Sequence, residues 1–346
     1  MPAPADPTDL LLRVRGTVQG VGFRPFVHRT ATRLSLRGWV RNDSHGVLLR
    51  VAGPAAAVAE FTRALHDTAP PAARVQAIEP RAATADDPPV GDSFAIVAGE
   101  PDRLEITTAV PCDLALCADC RRELLDPHDR RHRYPFINCT QCGPRYSIIE
   151  QLPYDRPRTT MRVFAMCPAC QREYDDPADR RFHAEPNACP VCGPRLSLSD
   201  PAGAVLAEGE AALQQTAAAL RAGRIVAVKG LGGFHLMCDA TSEPAVAELR
   251  RRKHREEKPL AVMFRDLAAL RAVAEVSDAA AALLLSPAAP IVLVPRRSAA
   301  AATWGRGAPT ASLPPSTDTT PPSDCPKTGD SQSECHLISV IAGTSD

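Results

Sequence analysis

Eight of the twelve cysteines in this 346-residue chain have a spacing that predicts metal chemistry. They form four Cys-x-x-Cys pairs, arranged as two sets offset by 50 residues. The two sets are Cys117, Cys120, Cys139, Cys142 and Cys167, Cys170, Cys189, Cys192. Two such pairs can place four thiolates tetrahedrally around Zn²⁺, at about 2.3 Å from the metal. The spacing therefore predicts two structural zinc ions, because four protein ligands leave no open coordination position.

Redox-active or disulfide-bonded cysteines are the competing interpretation of the same pairs. Zinc is favoured because the spacing is duplicated and because residues 1–12 lack a secretory signal, so a cytoplasmic location is expected. The duplication extends beyond the cysteines, since 15 of the 31 positions in 117–147 are identical in 167–197. The sequence leaves open whether each repeat closes its own site or the pairs nest across the repeats. Cys112 lies outside the pattern and is interpreted as a spare thiol.

A glycine-rich segment near the N-terminus has the residues of an anion-binding loop. Gly16, Gly20 and Gly22 permit a turn whose N–H groups converge, and Pro25 suits the first position of a following helix. The proposed phosphate-binding loop consists of Gln19, Gly20, Val21, Gly22 and Phe23. Arg24 can add a guanidinium, and the amide of Asn42 can position a water molecule. A glycine-rich loop alone is equally compatible with an ordinary turn.

Taken together, residues 16–24 and 38–46 resemble the two signatures of the acylphosphatase family. The resemblance implies a ferredoxin-like domain in which Arg24 binds phosphate and Asn42 orients the attacking water. Catalysis in that family needs no covalent nucleophile, because positioning and charge stabilisation suffice. Leu48 departs from the valine that the family usually has.

A third group of residues lies in the C-terminal half. Lys229 precedes a glycine-rich turn, and the segment 249–260 is strongly basic. Taken alone, that segment is interpreted as a solvated helix end. However, Lys253, Arg255 and Lys258 resemble the nucleotide-binding motif of the YrdC/Sua5 family. The resemblance implies that these residues hold the triphosphate of ATP, with Mg²⁺, and leaves double-stranded RNA as a second possible ligand.

The elements that must position these residues follow from apolar periodicity. Strands are predicted at 10–16, 47–52 and 94–97 and helices at 26–36 and 58–66, whereas 117–199 has too few periodic apolar residues to form a core without metal. In the C-terminal half, helices are predicted at 211–222, 245–254, 268–276 and 279–285, and strands at 225–228, 260–264 and 291–294. The fold class is therefore an α+β multidomain chain. Its parts are an acylphosphatase-like domain at 10–98, zinc fingers at 117–142 and 167–192, a partial YrdC-like α/β domain at 205–297 and a divergent tail at 298–346.

Composition excludes some functions. The 40 basic and 40 acidic residues cancel, which argues against binding nucleic acid or a membrane by bulk charge. No apolar run is long enough to span a bilayer, so no membrane partner is expected. Pro, Ser and Thr supply 21 of the 49 residues of 298–346, a composition that predicts disorder.

The order of these parts, with the segments 134–145 and 152–157, resembles the HypF carbamoyltransferases of nickel–iron hydrogenase maturation. The resemblance implies hydrolysis of carbamoyl phosphate, adenylation of carbamate with ATP, and transfer to the C-terminal Cys of HypE. It ends near residue 297, so the transfer domain of the family is expected to be missing and this chain alone is not expected to modify HypE. The alternatives are a stand-alone acyl or carbamoyl phosphate phosphatase with a zinc-stapled appendage, and a module that binds zinc and RNA.

Overall fold

The structure, a computed structural model, describes residues 8–99, 108–109, 111–230, 233–255, 257–297 and 336–339. The chain divides into two compact units. The first comprises Met1–Pro194 with Ser286–Ala289, and the second comprises Arg195–Leu285 with Pro290–Asp346. Within the described residues, no helix is both long and apolar enough to cross a membrane.

The first unit opens with a ferredoxin-like domain. Its elements are β1 (Thr8–Thr17), α1 (Phe23–Arg33), β2 (Arg37–Asp43), β3 (Gly46–Gly53), α2 (Ala55–Asp67), β4 (Arg74–Ala82) and β5 (Phe94–Ile96). The sheet order is β4-β1-β3-β2-β5, with β1 antiparallel to both β3 and β4, and β5 parallel to β2. The sequence prediction of a ferredoxin-like domain is confirmed, although β2 and β4 were not among the predicted strands.

The core of this domain lies between the sheet and its two helices. Leu12 and Val14 of β1 and Leu49 of β3 are fully buried, because alternate strand residues point to the helix-covered face. Val27 of α1 and Phe61 of α2 close the same cluster. This packing anchors β1 and α1, and the connection between them carries the proposed phosphate loop.

The second part of the first unit holds both fingers. Its helices are α3 (Ala118–Leu125) and α4 (Pro168–Asp175), and three 3₁₀ helices at Tyr146–Ile148, Arg156–Arg158 and Thr160–Val163 lie between them. Tyr134, Ile137 and Tyr154 are buried with the cysteines of the first set in one cluster. The cluster is built around the thiols of the predicted metal site, so it does not test the prediction that this segment needs metal to form a core.

The second unit is an α/β sheet. Its elements are β6 (Ser197–Ser199), β7 (Val205–Glu208), α5 (Gly209–Arg221), β8 (Val226–Lys229), β9 (Phe234–Met237), α6 (Glu243–Lys253), α7 (Leu267–Val273), α8 (Asp278–Leu284) and β10 (His336–Ser339). The sheet order is β7-β6-β10-β8-β9. All four predicted helices are present, within a few residues of their expected bounds.

Three expectations for this half were wrong. Residues 260–264 and 291–294 form no strand. Several of their apolar side chains are exposed, with Met263 at 61% and Leu293 at 83%, because these segments have no strand partner among the described residues. The expected disorder of 298–346 fails at β10, which pairs with β6 and β8. The remainder of that tail lies outside the described residues.

Candidate active site and metal centres

The loop between β1 and α1 is shaped by two glycines in the left-handed region. Gly20 has a φ of 69° and Gly22 a φ of 75°, a backbone conformation that residues with a Cβ rarely adopt. A Cβ at Gly20 would also lie only 3.1 Å from Cδ of Arg145. Helix α1 begins at Phe23, so Pro25 is its third residue rather than its first as expected. The first turn still tolerates proline, because its N–H groups have no partner within the helix.

The side chain of Gln19 stabilises this loop by hydrogen bonds. Its buried amide nitrogen donates to the carbonyl oxygens of Asp43 and Gly46, both at 2.7 Å. Its amide oxygen accepts the N–H of Tyr154 at 2.9 Å. The side chain therefore ties the loop to the β2–β3 turn and to residues 117–194, which hold both fingers and are called the finger segment below. Val21 and Phe23 are buried in the core, so only the backbone of these predicted loop residues remains for an anion.

Arg24 forms two ion pairs with carboxylates of the finger segment. Its Nη1 lies 2.6 Å from Oδ1 of Asp155, and its Nη2 lies 2.6 Å from Oε1 of Glu185. Nη2 also donates to the carbonyl oxygen of Tyr154 at 3.4 Å. Arg24 is only 7% exposed and Glu185 only 2%. The predicted phosphate ligand is thus held from outside its own domain.

Charge and burial act against each other at this cluster. Burial by itself lowers the pKa of Arg24, but the charges of Asp155 and Glu185 outweigh it and raise the pKa further above its usual range. Burial raises the pKa of Glu185, and Arg24 opposes that shift without cancelling it. Burial and the charge of Arg24 lower the pKa of the neighbouring His183 to about 3, so this imidazole is neutral near pH 7.

Asn42 lies beside Arg24 and is fully buried at the end of β2. Its amide nitrogen donates to the carbonyl oxygen of Tyr154 at 2.8 Å, whereas its Oδ1 has no hydrogen-bond partner. Arg24 and Asn42 line the same cavity, as do Gly20 and Gly22. The cavity volume is about 20 Å³. That is room for about one water molecule, and the unpartnered Oδ1 offers it an acceptor.

Both cysteine sets form compact clusters, and each repeat closes its own. The four Sγ atoms of each set lie within 4.8 Å of one another. The shortest contacts are 3.7 Å between Cys139 and Cys142, and 3.6 Å between Cys170 and Cys192. A tetrahedron with bonds of about 2.3 Å has edges of about 3.8 Å, so the clusters fit Zn²⁺. The question of pairing that the sequence left open is thereby answered, and no thiol of either set is in a disulfide.

Arginines of each repeat contact the thiols of the other. Arg180 donates to Sγ of Cys120 through both terminal nitrogens at 3.1 Å, and Arg130 donates to Sγ of Cys170 at 3.3 Å. Arg181 of the second repeat pairs with Glu123 of the first, and Arg131 of the first pairs with Glu173 of the second. The arginines of these pairs are buried and the glutamates are partly buried. The two fingers are therefore interlocked by a pseudo-twofold set of charge-assisted hydrogen bonds.

Arg145 links the first cysteine cluster to the proposed phosphate loop. It is 1% exposed, and its Nη2 donates to the carbonyl oxygen of Cys139 at 2.8 Å. Its Nε donates to the carbonyl oxygen of Gly20. A single side chain thus spans a metal-ligand segment and the loop, so the geometry of the loop depends on the folded finger.

The predicted nucleotide-binding residues lie in the second unit. Lys253 is the last residue of α6, and Arg255 and Lys258 follow it, so these three lie on one short segment. Lys229 ends β8. The three lysines are exposed, whereas Arg255 is partly buried and donates to the carbonyl oxygen of Pro259 at 3.0 Å. Their shared role in binding a nucleotide stays a prediction.

Sequence reasoning missed Asp155, Glu185 and the cross-repeat arginines. The duplicated Asp-Arg-Arg and Arg-Glu segments were visible in the sequence, and their charge pairing was a usable signal. Asp155 lies in a segment that contributed to the family resemblance. Nothing local distinguishes Glu185, because its partner Arg24 is 161 residues away in the chain.

Three family models match the chain. Acylphosphatase matches residues 10–96, the HypF finger matches 116–149 and 166–199, and Telomere recombination, the Sua5/YciO/YrdC model, matches 218–312. All three resemblances inferred from the sequence are therefore confirmed. Among single-domain proteins, the acylphosphatase of Azoarcus sp. is 53% identical over 70 residues, which cover 20% of this chain and 70% of that protein.

Longer relatives match most of the chain. Carbamoyltransferase HypF2 of Cupriavidus necator is 53% identical over 83% of this chain, and carbamoyltransferase HypF of Rhodobacter capsulatus is 55% identical over 86%. The chain spans 35% and 38% of the length of these two relatives. A crystal structure of full-length HypF in the phosphate- and nucleotide-bound form matches with a TM-score of 0.77 and 44% identity, covering 84% of this chain and 38% of that one.

Proposed function

We propose that this chain, which belongs to the HypF carbamoyltransferase family, hydrolyses carbamoyl phosphate at the site formed by Arg24, Asn42 and the backbone of residues 19–23. One observation carries the proposal. The buried and unpartnered Oδ1 of Asn42 lines the same small cavity as Arg24 and the glycines of the loop. A buried acceptor without a partner is costly, so its retention points to a use in binding water.

The residues have complementary roles in this reaction. A water that donates a hydrogen bond to Oδ1 of Asn42 attacks the phosphorus. A new P–O bond forms, and the bond to the carbamoyl oxygen breaks with its electron pair on carbamate. The products are carbamate, inorganic phosphate and a proton released to solvent. The positive charge of Arg24 and the N–H groups of the loop stabilise the developing negative charge.

Arg24 retains donors for this task despite its ion pairs. A guanidinium has five N–H groups, and three of them are used by Asp155, Glu185 and the carbonyl oxygen of Tyr154. The two that remain are one N–H on Nη1 and the N–H on Nε, and each can donate to a single oxygen of a phosphate bound at the loop.

The later steps of the proposal follow the family. Carbamate reacts with ATP, bound with Mg²⁺ by Lys229, Lys253, Arg255 and Lys258, and the carbamoyl group passes to the C-terminal Cys of HypE. These steps are proposed for the whole protein, of which the matched relatives are longer examples. The two Zn²⁺ ions are structural in this scheme, because each is held by four thiolates.

The hydrolysis is tested with the zinc-loaded full chain in ¹⁸O-labelled water. We expect carbamoyl phosphate to be cleaved and the label to appear in phosphate. Arg24→Ala should abolish phosphate binding, whereas Asn42→Ala should mainly lower kcat, by about 100-fold or more if its role is to position water. Hydrolysis at the parental rate by both variants would contradict the site assignment.

Double-stranded RNA is the second candidate ligand of the second unit. The specific observation is the run of basic residues at the end of α6, from Arg250 to Lys253. ATP and RNA are distinguished by competition at that segment. Nucleotide binding that falls in Lys253→Ala and is unaffected by duplex RNA would favour ATP, whereas RNA binding with a steep salt dependence would favour RNA.

A further inference from the structure

The finger fold does not require a carboxylate at the position of Glu185. The equivalent residue of the first repeat, 50 positions earlier, is Pro135, and that repeat completes its own cysteine cluster. Glu185 is nevertheless 2% exposed, although a buried carboxylate is costly to maintain. The two repeats thus differ at the residue that contacts Arg24, which argues that Glu185 serves the loop in addition to its contacts within the finger.

Both carboxylates that contact Arg24 are fixed by further hydrogen bonds. Oε2 of Glu185 accepts the N–H of Arg156 at 2.8 Å and the hydroxyl of Tyr174 at 3.0 Å. Oδ2 of Asp155 accepts the N–H of Gly99 at 3.1 Å. These bonds restrain both carboxylates independently of Arg24. The carboxylates define the place at which the guanidinium is held.

The same contacts change the charge that a phosphate meets. Arg158 also lies 3.7 Å from Oδ2 of Asp155, so the two arginines and two carboxylates of this cluster carry no net charge when all are ionised, whereas Arg24 alone carries +1. Acyl phosphates and inorganic phosphate are dianions near neutral pH. A bound phosphate would therefore be attracted by Arg24 and repelled by the two carboxylates that pair with it.

We propose that Asp155 and Glu185 are positioning residues of the acyl phosphate site, which orient Arg24 for the reaction and keep the affinity for the phosphate product low. The inference rests on the proposed hydrolysis and assigns the finger segment a part in it. The loop supplies the N–H donors and the finger segment sets the orientation and effective charge of the arginine. The site is complete only when both parts of the first unit are folded.

The experiment measures binding of inorganic phosphate to the zinc-loaded full chain by calorimetry, together with the kinetics of carbamoyl phosphate hydrolysis. Glu185→Gln keeps an oxygen for Arg24 and removes one negative charge. We expect its Kd for phosphate to be about tenfold lower than that of the parent, with a lower KM for carbamoyl phosphate. Asp155→Asn, at the more exposed carboxylate, should act in the same direction. Glu185→Ala no longer orients Arg24, so its kcat should fall below that of Glu185→Gln.

Glu150→Gln is the matched control, since it makes the same change of charge in the finger segment at an exposed pair with Arg162. It should leave phosphate binding unchanged. The inference is overturned if neither Glu185→Gln nor Asp155→Asn binds phosphate more tightly than the parent while Arg24→Ala abolishes binding. Equal kcat values for Glu185→Gln and Glu185→Ala would overturn the orienting role. If Arg24→Ala binds phosphate like the parent, the site assignment fails, and this inference fails with it.

Discussion

Glu123→Gln should loosen both fingers, although the residue belongs to only the first. Glu123 accepts hydrogen bonds from Arg180, at 3.0 Å from its Nε, and from Arg181 of the second repeat. Burial raises the pKa of Glu123, but the two arginines more than offset it and the net shift is downward. The substitution would leave Arg181, which is 4% exposed, without its carboxylate.

The expected cost follows from that burial. Removing one partner of a buried ion pair costs about 3–5 kcal/mol. The low end, about 3 kcal/mol, applies here because Glu123 is 20% exposed and the thiolate of Cys120 remains near the arginines. A cost of about 3 kcal/mol corresponds to a change of about 150-fold in the equilibrium for local opening.

Asp119→Asn is the control in the same helix. It makes the same chemical change in a pair with Arg122 whose side chains are 53% and 70% exposed. We expect it to cost less than about 1 kcal/mol, which covers a weak surface pair and a small helix-dipole contribution.

Hydrogen exchange of the zinc-loaded protein, followed by mass spectrometry, reports opening of each segment separately. Glu123→Gln should accelerate exchange across 167–194 as well as 117–147, whereas Asp119→Asn should affect neither strongly. The reasoning would be refuted if exchange across 167–194 in Glu123→Gln matched that in Asp119→Asn. The fingers would then be independent despite their contacts.

Two further predictions concern metal and pH. Elemental analysis should find two Zn²⁺ per chain. Cys139→Ser should lose one zinc and expose 117–147 to proteolysis, because metal binding is coupled to folding. Full zinc content in this variant would contradict the ligand assignment. Burial raises the pKa of Glu173, but Arg131 and Arg130 outweigh it and lower the pKa from 4.5 to about 2. Its contribution to stability is therefore complete above about pH 4.5 and lost as the pH falls towards 2. Acid titration of exchange rates should show this loss in the parent but not in Glu173→Gln.

Much of the local chemistry was readable from the sequence because its parts lie close together in the chain. Each cysteine set spans 26 residues, so the ligands of one cluster were predictable from spacing alone. The residues of the loop from Gly16 to Arg24 are contiguous in the chain. Its glycines have positive φ, which glycine tolerates at low cost because it has no Cβ. Asn42 was placed by its resemblance to a second signature, and the structure brings it to the same cavity as Arg24.

Secondary structure was predictable where a segment with an apolar pattern has a neighbouring element to pack against. The four helices of the second unit were expected from periodicity and are present. The segments 260–264 and 291–294 have equally apolar patterns but form no strand, because a strand is stabilised by its neighbours in the sheet and not by its own composition. β10 shows the converse, since a short segment within a tail of low-complexity composition pairs with β6 and β8.

The amino-acid sequence by itself determined which residues can bind zinc and form the phosphate loop, because those properties depend on residue types at short spacing. Only the tertiary structure decided that each repeat closes its own cluster, that Arg180 and Arg130 reach across to the opposite thiols, and that Asp155 and Glu185 hold Arg24. The arginine contacts among these join residues that are 40 to 161 positions apart. Apart from the duplicated charged segments, no local pattern encodes such pairs, since their energy depends on burial and distance that exist only in the folded chain.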